Sequence, residues 1–254
     1  MAWQAERKGT AESLIAALEQ DRFVLYGQRI APVAAKDDKR LYQEILVRFL
    51  DEEEKLLPPG TFLPILEGYK LMTVLDTWVV RRVMRWVRER AAARGGGLAP
   101  RCSINLAAET IENENFAKAV AGQIANGGVP AEALSFEVTE AEAAAHRAAL
   151  ALLVARLRPL GCTFALTGYT GAAIGPDELR SLGMSYVKIE GAIVRNLERN
   201  REDYARAGRL VELCRSVGLR TIGEMVEREE VLRKLAELGV DYAQGYAIAR
   251  PAPI

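Results

Sequence analysis

The sequence predicts an α/β chain closed into a (β/α)8-like, TIM-type barrel with one antiparallel strand in its first hairpin. Three observations predict it. From Cys102 onward, six apolar strand-like runs alternate with helical runs across short turns that end in glycine, and right-handed crossovers of that kind close most naturally into a barrel. Upstream, two strand-like runs are separated by too few residues for a helical crossover, so they pair as an antiparallel hairpin. The chain is 254 residues long and half hydrophobic, enough to bury one core of that size. An open doubly wound sheet is the structural alternative.

Each element has a local signal. Thr10 to Gln20 reads as a helix with Leu14, Ile15 and Leu18 on one face and Thr10 as its N-cap. Phe23 to Val33 and Leu41 to Leu50 are the hairpin strands. Pro58-Pro59-Gly60 is a break, followed by helices at Thr61 to Lys70 and Thr73 to Ala93, the second stopped by Arg94-Gly95-Gly96-Gly97. The alternation then runs Cys102 to Ala107 (strand), Asn115 to Asn126 (helix, closed by Gly127-Gly128), Leu134 to Thr139 (strand) and Glu142 to Leu160 (helix, stopped by Gly161). It continues with Thr163 to Leu166 (strand), Pro176 to Leu182 (helix), Tyr186 to Ile189 (strand) and Tyr204 to Val217 (helix, ended by Gly218). Arg220 to Val226 (strand), Glu229 to Leu238 (helix, ended by Gly239) and Tyr242 to Ala249 (strand) complete it. Residues 1–10 read as a lead and 11–254 as one domain, without a long linker or internal repeat.

Composition excludes several classes. The 34 basic and 34 acidic residues cancel, so nothing favours nonspecific binding to DNA or an anionic membrane. Cys102, Cys162 and Cys214 are odd in number and far apart, as expected of reduced thiols in a cytoplasmic protein. His146 is the only histidine, which leaves little for a zinc cluster or a Ser-His-Asp triad. No apolar run approaches the ~20 residues of a membrane helix. Asp51-Glu-Glu-Glu-Lys55 reads as a solvated turn, Arg81 to Arg94 as a helix with a salt-bridged outer face, and Trp78 and Trp86 as packing residues.

The strands carry polar groups that an apolar strand does not need: Glu44 with Arg48 four residues on, Asn105, Glu137 and Glu140, Lys188, Glu224 and Glu227, and Gln244. A buried charge is costly unless paired or bound to a metal. Brought together at a barrel mouth, Glu44, Asn105 and Glu137 offer the hard oxygens that Mg2+, Mn2+ or Ca2+ prefers. Lys188 and Arg48 are of a type that meets phosphate oxygens.

These residues carry a family likeness. The chain resembles the EAL domain, the barrel phosphodiesterase that hydrolyses cyclic di-GMP to its linear dinucleotide, from about Ala11 to Pro253. Leu25-Tyr-Gly-Gln-Arg-Ile30 is similar to the opening Gln-Pro-Ile strand, with Arg29 in place of proline. Glu44-Ile45-Leu46 stands where the family has Glu-Ala-Leu, with Arg48 at the family's spacing. Phe62-Leu-Pro-Ile-Leu-Glu67, Ile104-Asn105-Leu106, Glu137-Val-Thr-Glu140, Lys188-Ile-Glu190, Glu224-Met-Val-Glu227 (which resembles the family's Glu-Gly-Val-Glu), Gln244-Gly-Tyr and Arg250-Pro-Ala-Pro follow in the family's order. The resemblance implies Glu44, Asn105 and Glu137 as metal ligands for Mg2+ or Mn2+. It implies Lys188 as holder of the attacking water or a phosphate, Glu224 as general base and Glu227 as a supporting or ligand residue. Glu140 is implied as anchor of the loop that follows the next strand, and Gln28, Leu46, Arg48 and Gln244 as contacts of the dinucleotide. A homodimer through the helices near that loop is also implied.

One motif departs. The family's Asp-Asp-Phe-Gly-x-Gly falls on Thr167-Gly168-Tyr169-Thr170-Gly171-Ala172, so Thr167 and Gly168 replace the acidic pair. Two-metal phosphoryl hydrolysis needs ions ~3.5–4 Å apart, and bridging carboxylates make that spacing tolerable. One ion still has Glu44, Asn105 and Glu137; the second has no evident home. Glu190 and Glu178 are nearby acids whose register gives no support for substitution. The expectation is a degenerate receptor that binds cyclic di-GMP with little or no hydrolysis. The alternatives are a protein-interaction module on the same fold without nucleotide, and a working phosphodiesterase.

Overall fold

The computed structural model describes residues 12–34, 40–51, 53–93, 98–127 and 129–254. The Thr10 cap, the lead, the stop at 94–97 and Gly128 lie outside them. Among the described residues eight strands close a barrel: β1 (Phe23–Pro32), β2 (Tyr42–Leu50), β4 (Arg101–Asn105), β5 (Leu134–Thr139), β6 (Thr163–Tyr169), β7 (Tyr186–Ile189), β8 (Arg220–Gly223) and β9 (Tyr242–Gln244). Two-residue strands, β3 (Leu56–Leu57) and β10 (Ala252–Pro253), lie alongside β2 and β1. The ring runs β1, β9, β8, β7, β6, β5, β4, β2 and back to β1, which rules out the open sheet. β1 is antiparallel to both neighbours, with Gln28 opposite Glu44 and Ile30 opposite Gln244; the remaining barrel pairs are parallel.

The side chains inside the barrel form layers, because alternate residues of a strand share a face. The lower layer is the buried set Ile30, Tyr42, Ala165, Tyr186, Ile222 and Tyr242. Its three tyrosine rings meet at 5.6–6.1 Å between centroids, and the Arg101 guanidinium lies over two of them. Two residues toward the C-terminal mouth on each parallel strand come Glu44, Thr167, Lys188, Glu224 and Gln244. Gln28 comes two residues before Ile30 on the reversed β1. The polar layer at the mouth therefore follows from strand register alone.

Several predicted bounds move. Pro58-Pro59-Gly60 is a helix start rather than a break: Pro58 caps the helix Pro59–Gly68, and Pro59 occupies its first turn, where a missing N–H costs nothing. The single helix predicted from Glu142 to Leu160 is three pieces, Glu140–Ala145, Arg147–Leu157 and the 3-10 turn Arg158–Leu160. The kink is at His146 (φ −118°, ψ 35°), whose Nδ1 lies 2.8 Å from Glu112 Oε1. Thr139 and Glu142 form a capping box on the first piece. β6 runs three residues past its predicted end. It contains Thr167 and Gly168, with a register irregularity against β7 between Leu166 and Tyr169 that Gly168 accommodates at φ +63°. β4, β8 and β9 are shorter than predicted, and short helices at Ala108–Ile111 and Gly191–Val194 were not predicted.

The helices pack around the barrel. Trp78 and Trp86 lie against the core as expected, and Trp78 Nε1 donates to Leu18 O. The three cysteines are free and buried, and burial pushes their thiols up to about 12. No described helix is long and apolar enough to cross a membrane. The salt-bridged outer face predicted for Arg81 to Arg94 forms only in part among the described residues. Arg82 pairs with Asp21 and Arg90 lies over the Trp86 ring. Arg81, Arg85 and Arg88, exposed on the helix Met72–Ala93, have no carboxylate partner among the described residues.

Asp76 ties that helix to the turn after β4. Its Oδ2 accepts from Ala107 N (2.9 Å) and Thr110 Oγ1 (2.6 Å). Burial pushes its carboxyl up to about 7 against those two hydrogen bonds. The unfolded chain loses this proton near pH ~4 while the folded chain keeps it to about 7, so stability should fall as pH rises through that window. Asp76→Asn retains an acceptor oxygen and cannot ionise. Urea unfolding at pH 5 and pH 7 should show the variant's pH slope flatter than the parent's, by at most about 1.4 kcal/mol per pH unit.

Candidate active site

The centre of the mouth is Lys188, fully buried on β7. Its Nζ lies 2.9 Å from Glu44 Oε2, 2.8 Å from Glu137 Oε2 and 3.5 Å from Glu224 Oε1. The resemblance assigned this ammonium to a water or a phosphate; here it faces three carboxylates. Asn105 Nδ2 donates to Glu44 Oε1 at 2.8 Å. Gln244 Nε2 donates to Glu44 Oε2 (2.6 Å) and Gln28 Oε1 (3.0 Å), and Gln28 Nε2 donates to Ala249 O. The predicted residues Glu44, Asn105, Glu137, Lys188, Glu224, Gln28 and Gln244 thus form one network.

Three carboxylates around one ammonium leave an excess of negative charge if all are ionised. Burial would raise Glu44, but Lys188 with the Asn105 and Gln244 amides holds it below the usual carboxylate range. Burial pushes Glu137 up to about 7 despite Lys188, and burial also leaves Glu224 above its ordinary value. Burial alone would depress Lys188; Glu137, Glu44 and Glu224 instead hold it well above the usual lysine value. Glu137 Oε1 is buried and has no hydrogen-bond partner among the described residues.

Glu140 anchors the following loop, as the resemblance implied. Its Oε2 accepts from Thr170 N and Oγ1, both at 2.8 Å, and its Oε1 from Ala173 N and Ile174 N at 3.0 and 3.2 Å. Burial works against its charge, yet these bonds hold the carboxyl below its ordinary value.

At the departing motif, Thr167 Oγ1 donates to Glu224 Oε1 at 3.1 Å. Gly168 sits in the left-handed region, and a Cβ there would lie 3.2 Å from Glu190 Oε2. Glu190, whose register gave no support for substitution, brings its Oε2 into the space beside residue 168. Glu178 stays away, paired with Arg147. Among the described residues no three His, Cys, Asp or Glu side chains stand in a metal-holding arrangement; the Lys188 ammonium lies where the carboxylates converge.

A cavity of about 430 Å3 opens at this mouth. It is lined by the predicted Gln28, Glu44, Glu224, Glu227 and Gln244, and by Arg195, Met225, Gly245 and Tyr246, which sequence reasoning missed. Met225 holds φ +53°, a conformation that costs a non-glycine residue roughly 1–2 kcal/mol. It stands where the resembled Glu-Gly-Val-Glu motif has glycine, the one sequence signal that this wall differs. Leu46 and Arg48 do not line the cavity. The Arg48 guanidinium lies 5.6 Å from the Tyr26 ring centroid, and its Nη1 donates to Val47 O.

Residues 11–251 match the family described as EAL domain. The chain is 32% identical over 255 residues to cyclic di-GMP phosphodiesterase PdeB of Shewanella oneidensis, covering 100% of this chain and 29% of that protein. It is 31% identical over 242 residues to cyclic di-GMP phosphodiesterase PdeF of Escherichia coli K12, covering 94% and 31%. It therefore spans about a third of the length of these relatives. The FimX EAL domain of Pseudomonas aeruginosa, solved bound to c-di-GMP, superposes with a TM-score of 0.86 at 23% identity, covering 94% of each chain. The FimX EAL domain of Xanthomonas citri, also a c-diGMP complex, gives 0.88 at 22%, covering 100% of this chain and 97% of that one. Barrel, reversed first strand, mouth residues and these matches agree: the chain belongs to the EAL domain family.

Proposed function

We propose that this domain binds cyclic di-GMP and hydrolyses it slowly or not at all. Relatives named as cyclic di-GMP phosphodiesterases and neighbours solved with c-di-GMP supply the ligand class. The mouth cavity, with Gln28, Gln244 and Glu227 on its walls, supplies a place for it. The observation that carries the loss of hydrolysis is the end of β6. Thr167 uses its hydroxyl on Glu224 and Gly168 has no side chain, so the two carboxylates that would hold a second ion beside the first are missing.

The donor set suits at most a single Mg2+ or Mn2+, for which the Lys188 ammonium, now bonded to Glu44 and Glu137, would have to give way. Glu44, Glu137 and the Asn105 carbonyl oxygen would hold it. The orphaned Glu137 Oε1 and the excess of carboxylates over Lys188 are the features such an ion would relieve. When bound, the ion polarises a phosphoryl oxygen and acidifies water. The chain's own residues do the rest. Lys188 fixes the three carboxylates, Gln244, bonded to Gln28, orients Glu44, and Glu224 is the group able to accept a proton at the mouth. Burial raises its proton affinity above the ordinary carboxylate value, the direction a general base needs, but Thr167 blocks one of its oxygens.

A working phosphodiesterase is the second reading, favoured by Glu190, whose carboxylate reaches beside residue 168. Calorimetric titration of the purified protein with cyclic di-GMP, with and without Mg2+, tests the binding. We expect heat at tens of micromolar ligand or below, increased by Mg2+. No heat in either condition would leave an interaction-only module in its place. A homodimer remains part of this reading, to be tested by the protein's mass in solution.

A further inference from the structure

We infer that Arg195 is the residue that holds a ligand phosphate at the mouth, in place of the two cations that motif position suggests. The inference rests on the proposed nucleotide reading. The case begins with Lys188, which is fully buried and engaged by three carboxylates, so its ammonium has no face left for a phosphate. Arg48 is stacked near Tyr26 and bonded to Val47 O, and it is not part of the cavity wall. Among the described residues, Arg195 is the only cationic side chain that lines the cavity.

Its surroundings leave it available. Arg195 is exposed, and among the described residues no carboxylate lies within ion-pair distance of it. Among the described residues the only partner of its guanidinium is the Met225 thioether, Nη2 to Sδ at 3.0 Å, and a thioether is a weak acceptor. The backbone beneath is fixed independently. Arg228 Nη2 donates to Arg195 O at 3.2 Å and pairs with Glu198 at 2.8 Å. Met225, on its strained backbone, packs over Gly191, where a Cβ would come within 2.6 Å of the sulfur. The sulfur therefore holds the guanidinium at the rim without neutralising it. A phosphodiester entering a cavity walled by Glu44, Glu224 and Glu227 meets three acids and needs one compensating cation. Arg195 is positioned to be that cation, and its planar fork suits two phosphate oxygens.

The test is a set of cyclic di-GMP titrations with the unaltered chain, Arg195→Gln, Arg195→Lys and Arg48→Gln, each at low and high salt. Arg195→Gln is expected to weaken binding about tenfold or more, and Arg195→Lys less. The salt dependence should be smaller for Arg195→Gln than for the parent. Arg195 is exposed and only its side chain is changed, so the melting temperature should stay within a few degrees of the parent's. Binding by Arg195→Gln within twofold of the parent, or a loss seen with Arg48→Gln and not with Arg195→Gln, overturns the assignment while leaving the nucleotide reading intact. No binding by the unaltered chain overturns both.

Discussion

Replacing Lys188 with methionine should cost the fold about 3–5 kcal/mol at pH 8 and clearly less at pH 5. Methionine keeps the volume and removes the charge, leaving Glu44, Glu137 and Glu224 converging on nothing. The dependence on pH follows from the proton balance. Lys188 now holds Glu44 below its ordinary value and restrains the burial-driven rise of Glu137 and Glu224. Without it all three climb in the folded state while the unfolded chain still ionises near pH ~4.5. Stability then falls as pH rises from that value, because the folded state must lose protons it prefers to keep. Urea unfolding of parent and variant at the two pH values measures this. Mg2+ should restore part of the loss, since a cation would stand in for the ammonium. A loss below about 1 kcal/mol, equal at both pH values, would mean that the carboxylates do not depend on Lys188.

Restoring the acids by Thr167→Asp with Gly168→Asp is expected to produce an ion-requiring protein. Aspartate tolerates the left-handed backbone of residue 168 better than most residues. Its Cβ would nonetheless stand 3.2 Å from Glu190 Oε2, and the new acid at 167 would replace a hydroxyl donor to Glu224 with a like charge. Without a divalent ion the double variant should lose about 2–3 kcal/mol, and Mg2+ or Mn2+ should raise its melting temperature more than the parent's. Adding Glu190→Asp, which shortens the facing acid, should recover part of the loss. With metal, turnover of cyclic di-GMP should exceed the parent's by about a hundredfold or more. Equal melting temperatures with and without metal would show that the new acids do not create a second ion site.

The fold and most of the mouth were legible because both obey short periods. Even spacing within strands puts Glu44, Thr167, Lys188, Glu224 and Gln244 on one inner face. Glycines 161, 218 and 239, all at positive φ, end the segments that precede β6, β8 and β9. What escaped is non-local. The Glu190 side chain reaches residue 168 only because β6 and β7 are neighbours with an irregular register, and that register is not written in either strand alone. Lys188 could not be read as the centre of three carboxylates, since they come from β2, β5 and the segment after β8. Arg195 directly follows the short helix Gly191–Val194, too short to give a periodic signal, and its availability depends on Met225 beside it. Arg81, Arg85 and Arg88, which have no carboxylate partner among the described residues, were not foreseen because a balanced total charge says nothing about which faces meet. The kink at His146 escaped because the alanine-rich run on either side looks continuous, although Thr139 and Glu142 already spelled a capping box.

The account turns on whether the missing carboxylates at the end of β6 limit the chemistry, and product analysis tests that directly. The unaltered protein is incubated with cyclic di-GMP and Mg2+ or Mn2+ over hours, and the nucleotides are separated by chromatography. The account predicts the cyclic dinucleotide recovered essentially unchanged from a protein that binds it. Conversion of the pool to the linear dinucleotide within minutes by the unaltered chain would contradict it.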